Sequence, residues 1–231
     1  MRVRTRLGVI GLAAVLVASL VACQPDSAPY VALGDSYTGG PLVPSQSLGP
    51  LGCLRSSSSW PAVAARVAGT PVLDVSCSGA DTKDMFSEQG VTPGPNPPQL
   101  NAVKSDTKVV SLQIGGNDIG FSSIVQGCVR VNPLDKPCKD GFLAGGTDQL
   151  AARVDATKPK VVNVINAIKA KAPNAKVIVV GYPSILPENS NGCWPSVPIL
   201  PADVTYLRGV HKKLNAMIAS AAAATGTTYV D

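Results

Sequence analysis

The sequence predicts an α/β fold in three layers, a flavodoxin-like five-stranded parallel sheet between helices. Short apolar, β-branched runs recur five times along the chain, and long segments of helical periodicity stand between them. Each of the first three runs also ends in a small, polar, glycine-containing cluster. Alternation of β and α elements builds a parallel sheet with right-handed crossovers, which carries helices on both faces.

The strands are read at residues 30–33, 72–75, 108–112, 176–180 and 227–230, each near-continuously apolar, as strands covered on both faces are. Helices are read at 59–68, 148–171 and 202–224. In the last, Val204, Leu207, Val210, Leu214, Met217 and Ile218 keep to one face. Asp203 follows Pro201 near its start and Gly226 sits just past its end. Stretches rich in Pro and Gly at 41–52, 92–98 and 183–201 read as loops. Residues 120–146 read as a small insertion pinned by Cys128 and Cys138, and no internal repeat is visible.

At 231 residues and 45% apolar content, the chain fits one domain behind a leader. Only 4% is aromatic, so the core is built from small aliphatics. The net charge of +5 includes Arg2, Arg4 and Arg6; without them 17 basic residues face 15 acidic ones. No basic stripe remains, which argues against nucleic acid as a partner. Residues 1–22 read as a signal peptide, with an apolar stretch over 7–21 too short for a typical membrane span. Leu20-Val21-Ala22-Cys23 resembles the lipobox of bacterial lipoproteins. That resemblance implies an acylated Cys23 and a tether over 23–29, hence attachment to a membrane; the alternative is an ordinary signal peptide and a secreted protein.

Export permits disulfides. Cys128 and Cys138 bracket a Pro-containing loop and are the first pair expected; Cys53 with Cys77 is the second. Cys193 is then unpaired. The cysteine spacing fits no zinc pattern and His211 is the only histidine, so no metal or other cofactor is expected.

Three clusters follow the first three strands: Gly34-Asp35-Ser36-Tyr37, Ser76-Cys77-Ser78-Gly79-Ala80 and Gly115-Gly116-Asn117-Asp118. In a parallel sheet all three lie at one edge, where open α/β folds bind ligands. Each alone is an ordinary turn, with Asp35, Ser36 or Asp118 serving as a helix cap. Together they offer what acyl transfer requires, a nucleophile beside preorganised donors: Ser36 Oγ with the Ser36 N–H, the Gly79 N–H and the Asn117 amide. Glycine at 79 leaves room for a substrate.

On these blocks the chain, from Tyr30 to Asp231, resembles the SGNH hydrolases, also called GDSL esterases and lipases, and in particular the disulfide-bearing secreted lipases of actinomycetes. The resemblance implies a carboxylic-ester hydrolase with Ser36 as nucleophile and Gly79 and Asn117 in the oxyanion hole. It implies a small ester or lipid substrate, and the protein is expected to be a monomer. The carbohydrate deacetylases and acyltransferases of cell-envelope glycans stay open, as does a non-catalytic, lipid-anchored envelope protein.

The family's Asp-x-x-His block, which supplies the base after the last strand, has no counterpart in residues 30–231. His211 falls mid-helix among Leu207, Val210 and Leu214, and a helix covering the sheet is not expected to aim its middle at the strand ends. In the related lipases a cysteine near the catalytic histidine closes a third disulfide, which would pair with Cys193. The domain over 30–231 is therefore expected to be C-terminally truncated, with near-background activity.

Overall fold

The computed structural model describes residues 28–47 and 49–231, so the leader and Cys23 lie outside the described residues. Five strands form one sheet: β1 (Tyr30–Gly34), β2 (Val72–Asp74), β3 (Val109–Gln113), β4 (Lys176–Val180) and β5 (Thr228–Val230). Their order is β2-β1-β3-β4-β5 and every neighbouring pair is parallel. That is the flavodoxin-like sheet the sequence predicts. The register puts Gly34 opposite Gln113, extending β1 and β3 by one residue beyond the apolar runs.

Among the described residues six α-helices are present: α1 (Ser36–Gly39), α2 (Trp60–Ala68), α3 (Phe121–Gly127), α4 (Lys139–Phe142), α5 (Gln149–Lys171) and α6 (Pro201–Thr225). Alternation along β1 divides the core between the two faces of the sheet. Val31 and Leu33 join the large cluster that contains Val164, Ile165, Leu207 and Leu214 of α5 and α6. Tyr30 and Ala32 turn to the other face and pack on Ala65 of α2. The predicted first residues Ser59 and Asp148 prove to be N-caps; the Asp148 carboxylate accepts from Leu150 N and Ala151 N.

The short helices were not predicted. Four to seven residues carry no readable period, and such helices hold only through tertiary contacts. The insertion shows those contacts. Cys128 is bonded to Cys138, an antiparallel bridge joins Val129 to Ile199, and the fully buried Asp203 carboxylate accepts from Cys138 N and Lys139 N at 3.0 Å. Asp203, read from sequence as a helix-start residue of α6, spends both oxygens on the start of α4. A second disulfide, Cys53–Cys77, ties the 3₁₀ turn Leu51–Cys53 to the loop after β2, where Ser78 N also donates to Cys53 O at 3.0 Å. Among the described residues Cys193 is exposed and unpaired.

The end of β1 is the tightest point of the backbone. A Cβ on Gly34 would overlap Thr38 Oγ1 and stand 2.8 Å from the Gln113 carbonyl oxygen. Gly34→Ala is expected to cost about 1–3 kcal/mol, the range for overpacking a well-packed site. Urea unfolding checks it, and an unchanged midpoint with unchanged slope would contradict the packing argument.

Candidate active site

The nucleophile turn is held from three sides before any substrate arrives. The buried Gln99 side chain takes the place of a strand partner for Gly34, accepting from Gly34 N at 2.8 Å and donating to Gly34 O at 2.9 Å. Asp35 N donates to Gln113 O at 3.3 Å. The Asp35 side chain then caps α1, its Oδ1 accepting from Tyr37 N at 2.9 Å. Ser36 is therefore the first residue of a one-turn helix at the carboxyl end of β1, and Gly40, at φ 70°, ends the helix in the left-handed region.

The two neighbouring loops are drawn to this turn. Past β2, Cys77 N donates to Gly34 O at 3.0 Å, so the Gly79 loop runs on beside the end of β1. Gly79 has φ 80°, and a Cβ there would meet only Gln89 Nε2 at 3.8 Å. Backbone conformation thus requires glycine at this position, a reason independent of room for a substrate. Past β3, Asn117 Nδ2 donates to Ala80 O at 2.8 Å, which leaves its second N–H available. Asp118 does not cap the helix that follows it. Its carboxylate accepts from Thr82 N and Thr82 Oγ1, at 3.0 and 2.6 Å, and Lys160 lies 3.3 Å away.

Ser36 and Asn117 line one narrow cavity of about 20 Å³, room for a single water molecule. Tyr182, Phe121, His211 and Leu214 close it. Gly79 does not line it and is joined to it through the Asn117–Ala80 bond.

The position of His211 corrects the sequence reading. Its ring reaches the strand-end rim, with Nε2 3.2 Å from Tyr182 O and its plane tilted against Phe121. The reason is length. The 25 residues of α6 span about 37 Å, whereas the five residues of β4 span about 16 Å. Running back from the carboxyl edge, α6 overhangs the sheet by its N-terminal half. His211 is buried as expected of a packing residue, and that burial lowers its pKa.

Sequence reasoning missed Tyr182. It follows β4, is 5% exposed, and places its hydroxyl 2.5 Å from Asp35 Oδ2 and 2.9 Å from Gly116 N. A Gly-Tyr-Pro triplet just past the fourth strand was the only available signal. Burial pushes the Asp35 carboxyl up to about 7, against the lowering effect of the hydrogen bonds from Tyr182 and Tyr37. Burial, and then the Asp35 charge, push the Tyr182 phenol well above its ordinary value.

The chain is 37% identical to Lipase 2 of Streptomyces coelicolor over 210 residues, a match covering 87% of this chain and 68% of the relative. Lipase 1 of the same organism is 34% identical, over 96% of this chain and 76% of its own length. Among solved structures, phospholipase A1 from Streptomyces albidoflavus NA297 superposes with a TM-score of 0.66 at 31% identity. The extracellular lipase from Streptomyces rimosus gives 0.64 at 30% identity. Both superpositions cover 87% of this chain and 78% of the other. The profile of the GDSL-like lipase/acylhydrolase family matches residues 32–231, from within β1 to the last residue, and the chain belongs to that family.

Proposed function

We propose that the protein hydrolyses carboxylic esters, lipid esters among them, by acyl transfer through Ser36. The observation that carries this reading is that Ser36 and Asn117, on different strand ends, line one cavity while Asn117 is bonded to the Gly79–Ala80 loop. Ser36 Oγ attacks the ester carbonyl. The Ser36 N–H, the Gly79 N–H and the free Asn117 N–H receive the oxyanion. The alcohol leaves, water attacks the acyl-serine, and the acid is released.

The proton of Ser36 goes to a general base, a role that the family resemblance gives to the histidine of an Asp-x-x-His block and not to a mid-helix histidine such as His211. His211 lines the same cavity, but its Nε2 meets the Tyr182 carbonyl, its ring packs on Phe121, and no hydrogen bond joins it to Ser36. The two disulfides of the described residues favour an oxidising, extracytoplasmic location. Acylation of Cys23 would hold the protein at the membrane there.

Hydrolysis of p-nitrophenyl butyrate by the protein and by its His211→Gln variant tests the exclusion of His211 as the base. The variant is expected to keep kcat within about tenfold of wild type. A loss of about 10³-fold or more, with the fold intact, would hand the base's role to His211.

A further inference from the structure

We propose that Tyr182 is a positioning residue, whose phenol fixes the nucleophile turn and the oxyanion loop in one register. The inference rests on the reading of Ser36 as the nucleophile.

Two loops meet at a single oxygen atom. Gly116 N–H can only donate, so the phenol oxygen accepts from it, and the phenol proton is left for Asp35 Oδ2. Asp35 Oδ1 already holds Tyr37 N, so both carboxylate oxygens are fixed and the residue between, Ser36, has no freedom to rotate the turn. Gly116 in turn precedes Asn117, whose amide serves the oxyanion. The phenol thus sets the separation between attacking oxygen and oxyanion donor.

Tyr182 is itself gripped. Its backbone N donates to Asn215 Oδ1 at 2.9 Å, Asn215 Nδ2 donates back to its carbonyl at 2.8 Å, and His211 Nε2 meets the same carbonyl. The ring stands edge-on to Tyr37, with centroids 5.1 Å apart and planes at 87°. A Cβ on Gly116 would come within 3.1 Å of the phenol oxygen, so the loop approaches as closely as a backbone can. Gly116, Asp35 and Tyr182 are all buried, so losing the phenol oxygen leaves the Gly116 N–H and the Asp35 carboxylate short of a protein partner. His211 enters this arrangement as the support of Tyr182, which accounts for a histidine beside the serine without a part in proton transfer.

The test uses the protein and p-nitrophenyl butyrate, with melting midpoints measured and assays run well below them. Tyr182→Phe removes one oxygen. It is expected to lower kcat by about 10–100-fold with KM within about twofold, since a displacement of about 1 Å in a reacting geometry costs about 10²-fold. Asp35→Asn breaks the same pair from the other side at constant size, and carries the test if the Phe variant does not fold. The double variant should lose no more than the worse single one, because both remove one coupled device. Tyr206→Phe, which takes the same oxygen from the phenol bonded to Asp148 at 2.8 Å, should leave kcat unchanged. A kcat for Tyr182→Phe within twofold of wild type, a loss appearing in KM, or losses that add in the double variant would each overturn the proposal. Ser36→Ala run alongside separates this from the reading beneath it. If that variant stays active, the nucleophile is wrong; if it is dead while Tyr182→Phe is normal, only the positioning role falls.

Discussion

Ser36→Ala lowers kcat on p-nitrophenyl butyrate by about 10⁴–10⁶-fold, with KM changed little, the size seen when a serine hydrolase loses its nucleophile. The prediction follows from where the side chain sits. Ser36 is the first residue of α1, held by a cap on one side and the Gln99 clamp on the other, and its removal leaves those contacts intact. The folded structure should therefore survive the substitution, and the loss should be entirely in the chemical step. A melting midpoint close to wild type together with the kinetic loss checks both halves. A drop of less than tenfold would mean that another group performs the attack.

Asp35→Asn is expected to make the protein more stable at alkaline pH while slowing catalysis about tenfold or more. The Asp35 carboxyl is buried and raised from 3.8 to about 7, so between these values the folded state holds a proton that the unfolded state has lost. Stability from this group is full below about 3.8 and is lost as pH rises through about 7. Tyr182, Tyr37 and Asp118 are the groups acting on it; Asp118 raises it further, and the bonds from the two tyrosines oppose burial. A displacement of this size corresponds to a cost on the order of 4 kcal/mol at pH 8. The asparagine variant avoids the charge but leaves the Tyr182 proton without its acceptor, so a net gain of about 1–3 kcal/mol is expected at pH 8. At pH 5 the gain should vanish. Urea unfolding at the two values measures it, and an equal difference at both would contradict the buried-charge account. Tolerating an ionised Asp35 is then the stability cost of a rigid nucleophile turn, as strained functional sites commonly show.

What the sequence disclosed follows from the range of the interactions involved. The strands and the long helices α2, α5 and α6 announce themselves by apolar runs and helical period, each a local pattern. The meeting of Ser36 and Asn117 at one cavity was also legible, because a parallel sheet sends the ends of β1, β2 and β3 to one edge; Gly79 stands beside that cavity and does not line it. Tyr182, Gln99 and Gln113 were not. Each is a buried polar residue whose meaning lies in a partner 65 or more positions away: Gly34 for Gln99, Gly181 for Gln113, Asp35 for Tyr182. No spacing rule encodes such pairs. The misjudged reach of His211 has a simpler origin, since face periodicity says which way a residue points and nothing about how far its helix overhangs the sheet.

The most direct test of the central claim is covalent. Protein treated with a fluorophosphonate and digested should yield one modified peptide, carrying the adduct on Ser36. An adduct on another residue, or none from protein that hydrolyses p-nitrophenyl butyrate, would contradict the assignment of Ser36 as the nucleophile.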